Sequence, residues 1–177
     1  MTAEIDVIVA DITTLEVDAI VNAANKQLKG GGGVDGAIHR AAGPGLLEEC
    51  KGLNGCETGD AKVTGGHDLA ASWVIHAVGP VWGGDKAEKD ALLASCYRVA
   101  LEKADGLKCK TLAFPAISTG VYGFPPDRAA QVAVDTLCEV LPDCENVKKV
   151  ILCCFSDESA GHHRKALASC EADKKEG

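Results

Sequence analysis

The stretch from Asn22 to Asp35 carries the residue types best able to do chemistry. Two asparagines, Asn22 and Asn25, close an apolar run, and four consecutive glycines at 30–33 precede Asp35. Glycine leaves peptide amides open to close approach and permits positive φ, and amides exposed before a helix bind anions, most often phosphate. Asparagine and aspartate side chains can orient hydroxyl groups or a water molecule. The stretch therefore predicts a cradle for a nucleotide diphosphate with catalytic groups beside it.

Other interpretations of the glycines fit less well. A flexible linker rarely lies between an apolar strand and an apolar helix start. Residues 31–36 match G-x-G-x-x-G, but a dinucleotide fingerprint opens directly from the first strand and has an acidic ribose ligand about 20 residues on. No Walker lysine follows the glycines, and Ser118 lies in no G-x-S-x-G motif. These departures disfavour a dehydrogenase, a phosphoryl transferase and a hydrolase with a nucleophilic serine.

Length and charge narrow the class of protein. A chain of 177 residues fits one domain with a substantial core, so we expect a single domain over residues 1–177. The net charge of −8 disfavours nucleic acid as the main partner, because affinity for DNA and RNA comes mostly from Lys and Arg. No apolar run reaches the ~18–20 residues that span a bilayer, and the acidic start does not resemble a signal peptide. We expect an intracellular, cytoplasmic protein without membrane partners.

Nine cysteines are many for such a protein. Their number is odd and no C-x-x-C pair occurs, which disfavours both a zinc framework and a full disulfide framework. Two adjacent histidines, His162 and His163, lie between Cys153-Cys154 and Cys170. Their spacing matches no metal-ligand pattern, so a solvated helix start is expected there. We predict no metal and no cofactor.

Apolar periodicity predicts alternating strands and helices. The predicted strands are 5–9, 17–21, 61–64, 73–78, 111–114 and 150–155. The predicted helices are 37–42, one starting at 46, 85–105, 127–141 and 158–170, and the charged tail 171–177 is expected to fray. His76 lies inside a strand and is predicted to be a satisfied core or edge histidine.

This alternation, without a break in composition, indicates one layered α/β domain with a mixed sheet and helices on both faces. Ligands of such sheets sit beyond the carboxyl ends of the strands. Four segments follow predicted strands, namely Asp11, Asn22, 115–122 and Phe155. We expect these segments to meet in one site. Asp11 there either accepts a hydrogen bond from an amine, such as that of adenine, or caps a turn.

Four motifs together resemble a known family. They are Asp11-Ile12, Asn22-Ala-Ala-Asn25, the run GGGGVDGAIHRAAG at 30–43 and the run FPAISTGVYG at 114–123. In this order, over nearly the whole chain, they look like a macrodomain of the MacroD type, and the bacterial O-acetyl-ADP-ribose deacetylases are the most similar group. The resemblance implies a three-layer α/β/α sandwich around a central mixed sheet of about six strands.

The resemblance also implies how ADP-ribose would be held. Asp11 would bind the adenine amine beside the Ile12 amide, and Phe155 would pack on adenine where the family often has tyrosine. The diphosphate would be wrapped by two groups of backbone amides, those of Gly33 and Val34 and those of Ser118, Thr119, Gly120 and Val121.

The resemblance also implies which residues would act at the distal ribose, where the reaction takes place. Tyr122 would lie against the distal ribose, Asn25 would hold the ribose hydroxyl groups, and Asp35 would accept a proton from water. Asn22 is also predicted to bind the ligand. Asn25 and Asp35 are the predicted catalytic residues.

Two classes of function remain. The first is a hydrolase that removes acetyl from O-acetyl-ADP-ribose, with ADP-ribosylated Asp or Glu side chains of proteins as a second substrate class. The second is a reader that binds ADP-ribose without turnover. A reader needs the phosphate loops but no residues that activate water, so the presence of both Asn25 and Asp35 favours the hydrolase. Either Asp35 or the diphosphate of the substrate would serve as base, and no metal is required.

Overall fold

A single mixed sheet organises the molecule. The computed structural model describes residues 3–176, with side chains described as far as Cys170. The strands are β1 (Glu4–Val9), β2 (Ala19–Ala24), β3 (Ala61–Gly65), β4 (Trp73–Val78), β5 (Thr111–Phe114) and β6 (Lys149–Cys154). Their order is β1-β6-β5-β2-β4-β3, and all neighbouring pairs are parallel except β3 with β4. The mixed six-stranded sheet implied by the resemblance is confirmed.

Helices cover both faces of this sheet. They are α1 (Gly33–Ala42), α2 (Pro44–Lys51), α3 (Lys86–Gly106), α4 (Pro126–Val140) and α5 (Asp157–Glu176), with short 3-10 helices at Ile12–Thr14 and Leu141–Asp143. Helices α1 and α2 pack on one face, and α3, α4 and α5 pack on the other. The three-layer α/β/α sandwich is therefore confirmed.

Apolar side chains fill the space between the layers as two separate clusters. The larger cluster lies under α3, α4 and α5 and includes Tyr97, Phe114 and Phe124, each at most 1% exposed. The smaller lies under α1 and α2 and includes Ile20, Ile38 and Leu46. Strands β2, β4, β5 and β6 contribute to both clusters, because successive side chains of a strand point to opposite faces of the sheet.

Two element boundaries differ from those predicted, and both affect the site. Strand β2 was predicted to end at Val21 but continues to Ala24, so Asn22 lies within the strand rather than after it. Pairing with β4 along the whole of β2 holds the extra residues in the ladder. Helix α1 was predicted from Ala37 but begins at Gly33, which places Asp35 in its first turn.

The ends of the last two elements also differ from the prediction. Strand β6 ends at Cys154, so Phe155 follows the strand instead of closing it. Helix α5 was predicted to end at Cys170 but continues to Glu176. Residue 177 lies outside the described residues, and the fraying of 171–177 stays a prediction.

Candidate functional site

Four neighbouring strands end at one edge of the sheet. Strands β1, β6, β5 and β2 are consecutive and mutually parallel, so their carboxyl ends lie side by side. Asp11 follows β1, Phe155 follows β6, and the segment 115–124 follows β5. The segment from Asn25 to Asp35 follows β2. The predicted site segments therefore line one edge in a fixed order, with the loop after β5 between the Asp11–Phe155 end and the glycine run.

Asp11 has one carboxylate oxygen engaged in a local turn. Its Oδ1 accepts hydrogen bonds from the Thr13 amide at 3.0 Å and from Thr13 Oγ1 at 2.7 Å, which caps the first 3-10 helix. These bonds lower the pKa of Asp11, because they stabilise the ionised carboxylate. The capping alternative is thus confirmed, and Oδ2 has no hydrogen-bond partner among the described residues. The Phe155 ring beyond the adjacent strand is 79% exposed, while Ile12 is buried.

The loop after β5 presents backbone amides. Ser118 adopts a left-handed φ of +68°, and two turns close over it through bonds from Gly123 N to Gly120 O and from Phe124 N to Ser118 O. Within residues 3–176 the amides of 118–122 donate no hydrogen bond. Val121 at the tip is fully exposed. The loop therefore leaves several N–H groups free, and free backbone N–H groups suit an anion.

Residues after β4 hold this loop in place. Gly79 lies against Ser118, and a β-carbon at position 79 would collide with Ser118 Oγ. The Trp82 amide donates to Tyr122 O at 2.8 Å, and the Trp82 ring packs on Phe124 with centroids 4.5 Å apart. The Arg128 guanidinium lies over the Trp82 ring, 5.5 Å from the ring centroid. The residues after β4 therefore fix the position of the loop through a hydrogen bond and aromatic packing.

The glycine run forms the second group of free amides. Gly32 caps α1 without a side-chain hydrogen bond, so the amides of the first helical turn, from Gly33 to Asp35, have no acceptor within the helix. Asn25 braces the run by donating from Nδ2 to Gly30 O at 3.1 Å, and its Oδ1 accepts from the Leu28 amide at 3.0 Å. A helix N-terminus with exposed amides and no capping side chain favours negative charge.

Asp35 lies beneath the glycine run with its two oxygens in different surroundings. Only 6% of the residue is exposed. Its Oδ1 accepts from Asn22 Nδ2 at 2.8 Å and lies 3.3 Å from His39 Nε2. Its Oδ2 faces Gly31, where a β-carbon would lie 3.3 Å from Oδ2 and 3.5 Å from Asn25 Nδ2. Asp35 and Asn25 thus converge on Gly31, and one carboxylate oxygen remains available.

A buried polar network lies behind Asp35. Asn22 was predicted to contact the ligand, but it has no exposed surface. Its side chain contacts Asp35 and His76 instead. His76 is 1% exposed and has partners at both ring nitrogens, which confirms the satisfied core histidine. Burial, with a smaller contribution from His39, lowers the pKa of His76 to about 4.

Sequence reasoning assigned no role to His39 and treated His76 as an isolated core residue. His39 lies four residues after Asp35, and residues at this spacing face each other on a helix. That signal was available from the sequence. The pairing of His76 with Asn22 was not, because it depends on the register of β2 against β4.

A depression borders the glycine run on the side of His39. Its lining residues come from the run, from α1 and from the start of α2, and they are Lys29, Gly30, Gly31, Gly36, His39, Arg40, Gly43, Pro44 and Leu47. The depression therefore opens between the glycine run and His39, and it carries two cationic side chains, Lys29 and Arg40, at its wall.

The cysteine and histidine residues near the C-terminus are arranged differently from the prediction. His163 is 3% exposed rather than solvated, with Nδ1 2.8 Å from Ser159 O and 3.6 Å from Cys154 Sγ. Cys138 and Cys170 form a disulfide between α4 and α5. In the part of the chain that is described, no three His, Cys, Asp or Glu residues are grouped to hold a metal ion. The same part contains no helix with the length and apolarity needed to cross a membrane.

Comparison with known proteins identifies the class of protein that this fold and site define. The Macro domain family matches residues 21–133. A macro domain-containing protein of Chlorobaculum tepidum is 58% identical over 93% of this chain and 96% of its own length. An O-acetyl-ADP-ribose deacetylase of Klebsiella pneumoniae is 51% identical over 96% of this chain and 99% of its own length. The chain belongs to the Macro domain family.

Solved structures agree with this assignment. The Oceanobacillus iheyensis macrodomain with ADP superposes with a TM-score of 0.90 at 40% identity, over 94% of this chain and 91% of that one. The Trypanosoma brucei macrodomain in complex with ADP-ribose gives a TM-score of 0.86 at 39% identity, over 92% of this chain and 68% of that one.

Proposed function

We propose that this macrodomain binds ADP-ribose and hydrolyses O-acetyl-ADP-ribose to ADP-ribose and acetate. Relatives of similar length carry the deacetylase name, and solved neighbours hold ADP or ADP-ribose. The observation that carries the proposal is the position of Asp35, which is almost buried, bonded at Oδ1 and free at Oδ2 beside the glycine run.

The order of segments along the sheet edge supports a proposed position for each part of the ligand. Adenine lies at the Asp11–Phe155 end, where a free carboxylate oxygen accepts from the exocyclic amine and the exposed ring stacks on the base. The diphosphate lies between the amides of 118–121 and those at the start of α1. The distal ribose then lies beside Tyr122 and Asn25, close to Asp35.

Hydrolysis at the distal ribose follows from this placement. A water bound to Asp35 Oδ2 attacks the carbonyl carbon of the acetyl ester while Asp35 takes its proton. The tetrahedral intermediate then breaks the bond between that carbon and the ribose oxygen, and protonated Asp35 returns its proton to this oxygen. Acetic acid leaves and loses its own proton to solvent, which gives acetate. General-base assistance is worth roughly 10²–10⁴-fold, and orientation of ester and water supplies much of the remainder.

The proposal is tested by acetate release from O-acetyl-ADP-ribose with Asp35→Ala and Asn25→Ala beside the wild type. Asp35→Ala is expected to lose at least 100-fold in kcat while calorimetry gives an ADP-ribose Kd within about fivefold of the wild type. Equal rates for the two proteins would remove Asp35 from the mechanism. A wild type that binds ADP-ribose but releases no acetate would instead establish the non-catalytic reader.

The second substrate class is ADP-ribose esterified to protein Asp or Glu side chains. The depression beside His39 is open and carries Lys29 and Arg40, which suits the acidic surroundings of such a modification. A turnover assay that compares O-acetyl-ADP-ribose with a glutamate-ADP-ribosylated protein decides whether both esters are substrates.

A further inference from the structure

A chain of hydrogen bonds runs from Asp35 across the face of the sheet that α1 and α2 cover, toward the antiparallel edge strand β3. Asn22 and His76 are direct partners in the register of β2 and β4, and Thr64 lies on the neighbouring strand β3. Asn22 Nδ2 lies 2.8 Å from Asp35 Oδ1 and 3.1 Å from His76 Nδ1. His76 Nε2 lies 2.9 Å from Thr64 Oγ1, which in turn lies 3.2 Å from Gly65 O. All three linking side chains are at most 1% exposed.

The direction of each bond follows from the chemistry of the groups. The ionised Asp35 carboxylate only accepts, so the Asn22 atom facing it is the amide nitrogen. That nitrogen has a second hydrogen, which requires an acceptor at His76 Nδ1. Neutral His76 with a free Nδ1 carries its proton on Nε2 and donates it to Thr64 Oγ1. The Thr64 hydroxyl then donates to Gly65 O.

The other His76 tautomer, with the proton on Nδ1, is electrostatically unfavourable. A proton on His76 Nδ1 would face the Asn22 NH₂ group, so the Asn22 amide would have to rotate and present its oxygen to His76. The same rotation would place that oxygen 2.8 Å from the Asp35 carboxylate, where two acceptors meet without a proton. The state of the imidazole and the orientation of the Asn22 amide are therefore coupled.

We propose that His76 is a positioning residue for hydrolysis, because its unprotonated Nδ1 holds the Asn22 amide in the orientation that donates to Asp35 Oδ1. Asp35 then keeps Oδ2 free and directed at the glycine run, where it meets the water. His76 itself touches no substrate, since Asn22 and α1 lie between it and the site edge. This inference rests on the proposed function.

The surroundings keep the imidazole neutral. The groups that face it are Asn22 on β2, Thr64 on β3, His39 on α1 and Cys50 on α2, whose Sγ lies 3.7 Å from Nε2. Asp35 on α1 lies one hydrogen bond further away, beyond Asn22. Burial holds the pKa of His76 near 4 and raises the pKa of Cys50 to about 11, so both groups are uncharged at neutral pH.

Two substitutions at position 76 test the contributions of the two ring nitrogens separately. His76→Asn retains an acceptor near the place of Nδ1, whereas His76→Gln retains a donor near the place of Nε2 and has only a methylene facing Asn22. We expect His76→Asn to keep kcat for acetate release within about threefold of the wild type. We expect His76→Gln to lose at least tenfold in kcat, with KM and the ADP-ribose Kd within about threefold.

A second pair of variants tests the tautomer and avoids the loss of the ring. Thr64→Val removes the acceptor for His76 Nε2–H with little change in volume, and Thr64→Ser keeps it. We expect Thr64→Val to lower kcat by at least fivefold and Thr64→Ser to retain it. Imidazole ¹⁵N shifts of the wild type should show His76 unprotonated at Nδ1 and protonated at Nε2.

The outcomes distinguish this inference from the proposed function. A wild type without acetate release overturns the proposed function and the positioning role with it. An active wild type with four equally active variants overturns the positioning role alone. A fall of kcat in all four variants in parallel with their loss of stability also overturns the positioning role. A ¹⁵N spectrum that shows a proton on His76 Nδ1 overturns it as well.

Discussion

Gly79, the residue that follows β4, lies directly against Ser118 in the loop after β5. The contact is so close that a β-carbon on Gly79 would overlap Ser118 Oγ and lie 2.6 Å from Ile117 Cγ2. Rotation of the Ser118 side chain would not relieve the overlap, because the added atom would still lie 2.6 Å from Ile117 Cγ2 and 3.4 Å from Ser118 Cβ. The position of the amides that follow Ser118 therefore depends on a glycine in the segment after β4.

Gly79→Ala is expected to displace this loop. Overpacking of this kind costs about 1–3 kcal/mol of unfolding free energy, and we expect ADP-ribose affinity to fall at least tenfold. Gly120→Ala is the control within the same loop, since a β-carbon there meets no atom within 4 Å. Its unfolding free energy should stay within about 0.5 kcal/mol of the wild type. Urea unfolding and calorimetry measure both, and a wild-type ADP-ribose affinity in Gly79→Ala would contradict the expectation.

Asp11→Ala is expected to weaken ADP-ribose binding about tenfold through loss of the bond to the adenine amine. Affinity for ribose 5-phosphate, which has no adenine, should not change. Asp11→Asn keeps an oxygen for the Thr13 bonds that cap the turn, so it separates the role of the charge from that of the turn. Calorimetry with both ligands measures the effect. An equal loss for both ligands would show that Asp11 acts through the fold of the loop.

His76 should make the protein less stable as the pH falls below 6.5. Its pKa is about 4 in the folded protein against about 6.5 when unfolded, so between these values the unfolded chain binds more protons. Stability contributed by neutral His76 is complete above about pH 6.5 and is lost progressively down to about pH 4. We expect a loss of about 2 kcal/mol between pH 7 and pH 5.

Urea unfolding at pH 7, 6 and 5 measures this loss, and His76→Gln is the matched control because glutamine does not titrate. Buried His163 also has a lowered pKa and contributes a slope of the same sign in both proteins, so the difference between them isolates His76. Parallel pH profiles for the two proteins would contradict the assignment.

Reduction of the Cys138–Cys170 disulfide is expected to destabilise the packing of α5 on α4. The bond closes a loop with a sequence separation of 32, for which the loss of chain entropy corresponds to about 2–4 kcal/mol. A domain of this size should then melt roughly 5–15 °C lower with reductant than without it. Cys138→Ser should lower the melting temperature similarly and abolish the effect of reductant. Cys144→Ser, which changes a free cysteine, should retain the effect.

Local patterns in the sequence predicted much of this molecule. Apolar alternation and periodicity located the six strands and five α-helices of residues 3–176, because each element buries one face or stripe against a neighbouring layer. The glycine run indicated a phosphate-binding site because glycine exposes backbone amides. The amides of 118–121 were added to that site by the resemblance of the FPAISTGVYG motif to the macrodomain family. The placement of the segments after parallel strands was enough to predict that they share one edge.

The tertiary structure alone decided which polar groups meet. Asn22 was expected at the ligand, but β2 pairs with β4 as far as Ala24, and this register buries Asn22 opposite His76. Thr64 joins them from a strand about 40 residues further along the chain than Asn22, and Cys170 reaches Cys138 only when α5 packs on α4. Such pairings depend on which strands and helices become neighbours, because the partners of Asn22, Thr64 and Cys170 lie on other elements. No local spacing encodes that choice.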